Sequence, residues 1–117
     1  MVAGRYSIVC EQGATKSIQF QWRDSEENPI DLTDYSIRAQ VRRSHHSEDV
    51  VIDLGAEGYI SILTPKDEGQ ISITIPASTT EALPIGRFVY DIELEDDVGT
   101  VTRLIEGGFM VTPEVTR

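Results

Sequence analysis

The chain contains little of what catalytic and metal sites are usually built from. Its 117 residues include one cysteine and two histidines. Because Cys10 stands alone, no disulfide can form within the chain. It follows Ile8 and Val9 in an apolar run, which predicts a buried thiol that packs as a small hydrophobic group and does not act as a nucleophile.

Basic charge is also scarce. Ten lysines and arginines stand against 20 aspartates and glutamates, which gives a formal charge of −10. A nucleic-acid-binding protein needs a basic face that displaces counterions from phosphate, so this balance disfavours nucleic acid and, for the same reason, an anionic membrane surface. The negative charge suits solubility, or docking onto a partner with a basic patch.

Long apolar runs are missing as well. No stretch approaches the roughly 20 apolar residues of a membrane span. Residues 1–6 lack the apolar core of a signal peptide. We therefore expect a protein that is made in a cytoplasm and stays soluble.

Motifs of known catalytic chemistry do not occur. The chain contains no G-x-S-x-G, Walker loop, G-x-G-x-x-G or H-E-x-x-H. Acidic side chains are frequent, but no pattern predicts two of them facing each other across a cleft. The sequence therefore predicts a protein that is not an enzyme and that binds no cofactor.

What the chain does have is a regular alternation of apolar and polar side chains. Along residues 16–23, Ile18, Phe20 and Trp22 alternate with polar residues, and residues 36–43 repeat the pattern. Side chains of a strand point to opposite faces with a period of two, so each segment has one apolar and one wet face. This indicates an antiparallel sheet over a single core, with Trp22 packed in that core and not stacked on a ligand.

Similar short segments recur along the chain, separated by turn signals at intervals of about 8 to 12 residues. Further strands are predicted at residues 6–11, 50–54, 59–63, 70–75, 87–95, 100–105 and 109–111. We predict an all-β, immunoglobulin-like antiparallel β-sandwich of eight or nine short strands, in a single domain over residues 1–117 that is folded from about residue 5 to residue 113. A partly open barrel or jelly roll is the structural alternative.

Three local features complete this prediction. Residues 78–83 are the one helical candidate, a short connector on which Ser78 and Glu81 have the spacing of a capping box. Residues 31–35 predict a single helical turn or tight corner, capped by Asp31. Gly107 and Gly108 predict a bulge or sharp bend before the last strand.

Two clusters could be read as metal sites. His45 and His46, followed by Glu48 and Asp49, could bind a transition metal, but structural sites draw three or four ligands from separated segments. The acidic run over residues 93–97 could suggest calcium, yet no D-x-D-x-D loop with a downstream glutamate is present. A solvated loop and the wet face of a strand are the better interpretations, so we expect no metal.

One basic patch stands out on this acidic chain. Arg38, Arg42 and Arg43 lie close to His45 and His46 in the sequence. The first interpretation is cross-strand pairing with acidic neighbours such as Asp91 or Glu93. The second is an electrostatic contact with another acidic subunit, and a second copy of this chain is one such subunit.

We predict contact surfaces at this basic strand face and at two exposed tips, residues 44–49 and 96–99. The second tip contains Asp96 and Asp97. Both tips are polar loops between predicted strands, where docking residues are frequent.

Several segments resemble small bacteriophage virion proteins. FQWRD (20–24), NPIDLTDY (28–35) and RAQVR (38–42) are similar to a W-x-D … P-I-D-L-T-G-Y corner followed by an R-x-Q-V-R strand in those proteins. ALPIGRFVYDIEL (82–94) resembles their L-P-x-G-x-Y-x-Y-D-L strand, and LIEGGFMVTPEVT (104–116) their closing E-G-x-F-x-V-x-P-E-V-T. Asp34 stands where glycine is usual, but aspartate tolerates the left-handed backbone of such a corner.

The resemblance, which covers most of the chain from Tyr6 onward, implies a virion structural protein without catalytic residues. The chain is also similar, more loosely, to the immunoglobulin-like N-terminal domain of phage baseplate upper proteins. We therefore expect a tail, baseplate or neck adaptor that binds other virion proteins and forms a symmetric homo-oligomer on the particle. The alternatives are a capsid decoration protein and a carbohydrate-binding module that recognises the host surface.

Overall fold

The computed structural model describes residues 4–116, which form two β-sheets packed face to face. Nine strands lie in this part of the chain. They are β1 (Gly4–Arg5), β2 (Ile8–Glu11), β3 (Lys16–Gln21), β4 (Ser36–Arg42), β5 (Val50–Asp53), β6 (Ile60–Ile62), β7 (Gln70–Ile75), β8 (Gly86–Glu95) and β9 (Val101–Thr112). A short 3-10 turn (Lys66–Glu68) precedes β7, and one helix, α1 (Ala77–Glu81), follows it.

The larger sheet, sheet A, has the order β1-β9-β8-β4-β5, and β2 continues the β1 edge along β9. β4, β5, β8 and β9 pair in antiparallel fashion, whereas β1 and β2 both run parallel to β9. The smaller sheet, sheet B, has the antiparallel order β3-β7-β6. The prediction of an all-β, immunoglobulin-like sandwich is confirmed, with a parallel N-terminal edge that the alternation alone did not indicate.

The core lies between the inner faces of the two sheets. β7 buries Ile71, Ile73 and Ile75, and every second residue of β8 from Phe88 to Leu94 is buried opposite them. The period of two in the sequence therefore gave the inward positions correctly. Phe20 and Trp22 belong to the same inner face but are only half-buried, because β3 lies at the edge of sheet B.

The corner before β4 forms as a tight turn and not as a helix. The amide of Tyr35 donates to the Leu32 carbonyl at 3.1 Å, and the Asp31 carboxylate accepts the Thr33 amide at 3.0 Å. The Thr33 hydroxyl also donates to this carboxylate, and the hydroxyl bond, followed by the amide bond, lowers the pKa of Asp31 below its usual range. Leu32 is fully buried, as its place in the predicted corner requires.

Two local predictions were wrong. α1 begins at Ala77 with Pro76 before it and no side-chain cap, so Ser78 lies inside the helix and cannot form a capping box with Glu81. Gly107 and Gly108 pair regularly with Tyr90 and Val89, and the register shift lies instead at Leu104, between the pairs Ile92–Ile105 and Glu93–Arg103.

Gly107 has a different role from the predicted bend. A Cβ atom at this position would lie 2.1 Å from the carbonyl oxygen of Tyr6. The glycine therefore gives the N-terminal segment the room to cross close to β9.

Candidate functional site

The two predicted tips lie at opposite ends of the sandwich. β4 and β8 are antiparallel with Arg42 opposite Val89 and Ser36 opposite Glu95. The loop at 44–49 therefore follows β4 at the end where β8 begins, and the turn at 96–99 follows β8 at the other end. The structure does not bring His45 and His46 together with Asp96 and Asp97.

Arg38 is engaged on the outer face of sheet A. Its Nε lies 2.8 Å from the Glu93 carboxylate, its register partner on β8, and a second nitrogen lies 3.6 Å from Glu95. The hydrogen bond and charge of Glu93 raise the pKa of Arg38. Cross-strand pairing, the first of the two interpretations of this residue, is what the structure shows.

Arg42 and Arg43 do not extend this contact into a continuous basic face. Arg42 donates to the Gln40 side chain at 2.8 Å and to the Ser47 carbonyl at 2.8 Å, which ties the 44–49 loop to the sheet. Arg43 turns to the opposite side, with its guanidinium 5.6 Å from the centre of the Phe88 ring. Such a cation–π contact closes the end of the core.

A shallow polar groove of about 320 Å³ lies on the outer face of sheet A, beside these arginines. Arg42 and His45 line one side, and Asp91, Arg103 and Glu106 line the other. Arg103 lies 3.3 Å from Asp91, yet burial and the negative charge of Glu93 outweigh this pair and raise the pKa of Asp91. The groove thus carries both signs of charge, largely paired with each other.

Neither suspected metal cluster assembles into a site. Within residues 4–116, no group of three or more histidine, cysteine, aspartate or glutamate side chains is arranged to hold a metal ion. His45 and His46 are exposed in their loop. Asp96 uses its carboxylate inside its own turn, where it accepts the amides of Val98 at 3.0 Å and Thr100 at 2.8 Å, while Asp97 is exposed at the tip.

Cys10 is fully buried in β2, and burial raises the pKa of its thiol. The raised pKa keeps the group protonated, whereas a nucleophilic cysteine needs a thiolate. The structure therefore places this residue as the sequence predicted, within the hydrophobic core.

Charge is distributed unevenly between the two ends. The amide of Leu32 donates to the Lys66 carbonyl, and Ser36 pairs with Glu95, so the loops 22–35, 63–69 and 96–100 meet at one end. We call it the acidic end, because these loops hold nine acidic and two basic residues. The acidic residues are Asp24, Glu26, Glu27, Asp31, Asp34, Asp67, Glu68, Asp96 and Asp97.

The opposite end is nearly neutral and is bound together by side chains. Its loops, residues 12–15, 43–49 and 76–85, contain three acidic residues, one arginine and both histidines. The buried Thr80 hydroxyl donates to the Ala14 carbonyl at 2.8 Å and accepts the Gly13 amide at 3.1 Å. These bonds fix the loops at 12–15 and 76–85 to each other through a side chain, whereas the loops at 22–35 and 63–69 of the acidic end are joined through backbone bonds such as that from Leu32 to Lys66.

Sequence reasoning missed an opening in the side of the sandwich. Between β3 and β9 a groove of about 370 Å³ is lined by apolar surface from Phe20, Trp22, Leu104 and Ile105. The charged residues Arg23, Asp24 and Glu27 also line it. Trp22 packs edge-on against Tyr35, their ring centres 6.1 Å apart, and its remaining surface borders the groove. The placement of Trp22 wholly in the core is therefore only partly right.

Comparisons with known proteins add the fold and little more. No protein-family model matches the chain, and no curated protein matches it in sequence. Among solved structures, the crystal structure of CopC from Methylosinus trichosporium OB3b is similar to it, with a TM-score of 0.50 and 10% identity over 100% of this chain and 90% of that one. At this identity the likeness concerns the β-sandwich alone.

Within the described residues, no helix is long and apolar enough to cross a membrane.

Proposed function

We propose that this chain is a structural component of a bacteriophage particle, a small non-enzymatic adaptor of the tail, baseplate or neck that assembles by protein–protein contacts. The observation that carries the proposal is the acidic end, where three adjacent loops hold nine acidic and two basic residues. The sequence resemblance to phage virion proteins and the immunoglobulin-like sandwich support it.

An end of this kind suits attachment to a larger subunit. Like charges on neighbouring loops add to a local potential that steers a basic surface toward them and disfavours a like-charged one. Copies of this chain carry a formal charge of −10 each, so they meet most readily through different ends and not acidic end to acidic end. A ring of copies around the particle axis, each presenting its acidic end to a basic partner, satisfies this condition.

The arginine face, which consists of Arg38 and Arg42 on the outer side of sheet A, remains part of the proposal as a contact with an acidic neighbouring subunit on the particle, a second copy of this chain included. Arg38 and Arg42 are exposed or half-buried on sheet A, and their internal bonds are weak enough to exchange for a partner's carboxylates. Reversing both charges, as Arg38→Glu with Arg42→Glu, should prevent assembly with the neighbouring virion proteins. Normal assembly of this double variant would remove the arginine face from the proposal and leave the acidic end.

The decisive experiment is to locate and count the protein in purified phage particles by quantitative mass spectrometry and antibody labelling. An adaptor on a symmetry axis should be present in about three, six or twelve copies and should be labelled on the tail or neck. Hundreds of copies on the head would establish the alternative, a capsid decoration protein. Absence from particles would contradict the virion assignment altogether.

A carbohydrate-binding module is a second candidate function because Trp22 is partly exposed beside Asp24 and Glu27. An aromatic ring next to carboxylates is a surface on which a sugar could stack and form hydrogen bonds. A glycan array probed with the purified protein tests it. Selective binding that is lost in Trp22→Ala would establish this function, and an empty array would leave the adaptor.

A further inference from the structure

The longest regular β-edge in the described part of the molecule belongs to β3. The other strands at sheet edges are shorter: β5 has four residues, β6 has three, and the N-terminal edge is split into two pieces of two and four. β3 pairs along all six of its residues with β7 and has no strand on its other side within residues 4–116. Sheet B therefore ends on a strand that is paired without interruption on its inner side.

The direction of the backbone groups along this edge follows from hydrogen bonds at its end. The Trp22 amide donates to the Gly69 carbonyl, which shows that even-numbered residues of β3 direct their backbone toward β7. The odd-numbered residues Ser17, Gln19 and Gln21 therefore direct their N–H and C=O groups outward. Within residues 4–116, these outward groups have no backbone hydrogen-bond partner.

This edge lacks the protections that native edge strands usually carry. Such strands avoid pairing with foreign strands through charged side chains, proline, bulges or extreme shortness. β3 has one lysine at its start, no proline and no register shift, and its outward residues are serine and glutamine. An exposed edge of this length is a template for strand addition.

The groove between β3 and β9 continues the same site inward. At one end of this groove, the Tyr6 ring packs edge-on against Phe20, with ring centres 5.3 Å apart, and fills the space between the two sheets. Next to that contact the space between the sheets is open, and Trp22, Leu104 and Ile105 line it. A strand laid along β3 would direct alternate side chains into this groove, as the inward residues of the other strands are directed into the core.

We propose that the β3 edge and this groove bind an extended segment of a partner protein in which apolar residues alternate with lysine or arginine. The charge at the site favours this chemistry, because Asp24 and Glu27 border the groove and belong to the acidic end. The one basic residue of the lining, Arg23, donates to the Gln21 side chain and to the Glu27 carbonyl. The same charge disfavours a second copy of this acidic chain as the occupant. The inference rests on the proposed function and specifies how the adaptor holds its partner.

The probe is a synthetic heptapeptide of alternating lysine and valine, with a matched peptide in which glutamate replaces lysine. Titration into the isotopically labelled protein should shift the amide signals of Ser17, Gln19 and Gln21 more than those of Ile18 and Phe20. The glutamate peptide should bind about tenfold more weakly at low salt, because its negative charges are repelled by Asp24, Glu27 and the rest of the acidic end. Shifts confined to another surface would overturn the proposal.

A variant pair tests the backbone contact. Gln19→Pro removes an outward N–H without removing a bond to β7, and Gln19→Thr keeps that N–H in a residue suited to strands. We expect the proline variant to lose affinity for the lysine–valine peptide by about tenfold or more, and the threonine variant to bind normally. Equal binding by both variants, at unchanged thermal stability, would overturn the proposal.

Three further results would assign the edge to a different occupant and overturn the proposal. A doubling of solution mass that protects the β3 amides would assign it to a second copy. Failure of every peptide, with the edge amides already protected in the free monomer, would assign it to another part of this chain. Selective glycan binding at Trp22 would assign the groove to a sugar.

Phage carrying Gln19→Pro separate this inference from the proposed function. If wild-type protein is present in particles and the proline variant is lost from them while Gln19→Thr is retained, the edge is the docking site. If both variants are incorporated like the wild type, the strand-addition proposal fails and the virion function stands. If wild-type protein is absent from particles, the proposed function fails whatever the peptides show.

Discussion

The two β-edges that face each other across the open groove are built in opposite ways. On sheet A, the N-terminal segment lies against β9, where the Tyr6 amide donates to the Glu106 carbonyl and the Tyr90 hydroxyl donates to the Tyr6 carbonyl at 2.6 Å. On sheet B, β3 has no such cover within residues 4–116. The molecule covers β9 with its own short N-terminal strands, an arrangement that we call the closed edge, and leaves the longer β3 edge exposed.

The difference follows from where the first described residues are held. The close crossing of Tyr6 over Gly107 and the buried Tyr90 hydroxyl hold this segment to sheet A, so it cannot also serve as the outer strand of sheet B. Native sheets protect their edge strands by making them short, charged or interrupted, as the split N-terminal edge of sheet A is. The exposed β3 edge is thus the counterpart of the closed one.

The largest expected effect is on the closed edge. Gly107→Ala would place a Cβ atom 2.1 Å from the Tyr6 carbonyl oxygen, so the N-terminal segment must move. We expect a loss of about 2–4 kcal/mol in the free energy of unfolding, measured by urea denaturation. Gly108→Ala is the matched control, since its nearest atom lies 4.0 Å away, and it should cost less than about 1 kcal/mol. Equal losses would contradict the close crossing at Gly107.

A second effect concerns the hydroxyl that holds this edge. Tyr90→Phe removes the bond to the Tyr6 carbonyl and should cost about 1–2 kcal/mol at neutral pH. Tyr35→Phe is the control, because the Tyr35 ring packs edge-on against Trp22 and that contact is kept. A loss in the control as large as that in Tyr90→Phe would argue against a specific bond to Tyr6.

The same tyrosine predicts a pH dependence. Burial raises the pKa of Tyr90, whereas in the unfolded chain it titrates near its ordinary value of about 10. Because the pKa is higher in the folded state, the contribution of this hydroxyl to the free energy of unfolding is complete below pH ~10 and is lost as the pH rises further. The stability difference between wild type and Tyr90→Phe should therefore shrink in unfolding curves above pH ~10. A constant difference up to pH ~11 would contradict the burial of this hydroxyl.

The exposed edge should tolerate a change that its paired neighbour cannot. Gln19 and Ser72 are register partners on β3 and β7. Gln19→Pro removes an outward N–H and should cost about 1 kcal/mol or less, whereas Ser72→Pro removes a ladder bond in a central strand and should cost about 3 kcal/mol or more. Thermal unfolding of both variants compares them directly. Comparable losses would mean that the backbone of β3 is paired on both sides.

The smallest effect is expected on the outer face of sheet A. Arg38 is more than half exposed in its pair with Glu93. Arg38→Gln should leave the midpoint of thermal unfolding unchanged within error, because such exposed pairs contribute little to folding. Glu93→Gln is the reciprocal control. A clear loss of stability in both would mean that this pair is a structural element and is not available to a partner.

Local patterning was enough to predict most of the fold. The inward faces of β4, β7 and β8 follow from alternation, and the corner at residues 31–35 follows from side chains that cap nearby amides. The parallel pairing of β1 and β2 with β9 was not predictable in this way, because it joins segments about a hundred residues apart. The prediction for Gly107 was wrong for the same reason, because the carbonyl oxygen that requires a glycine at this position belongs to the distant residue Tyr6.

The candidate site was harder to predict than the fold. The sequence placed Arg38, Arg42 and Arg43 in one patch, but Arg43 lies beyond the end of β4 and turns to Phe88. The β3 edge gave no signal at all, because an exposed strand and a paired strand share the same alternation of side chains. Only the sheet order shows which strand has no neighbour.

The central claim is that β3 is an exposed edge, and amide hydrogen exchange of the free protein by NMR tests it most directly. The account predicts slow exchange at Ile18 and Phe20, whose amides face β7, and fast exchange at Ser17, Gln19 and Gln21. Slow exchange at all five amides would contradict it, because it would mean that the outer side of β3 is already covered.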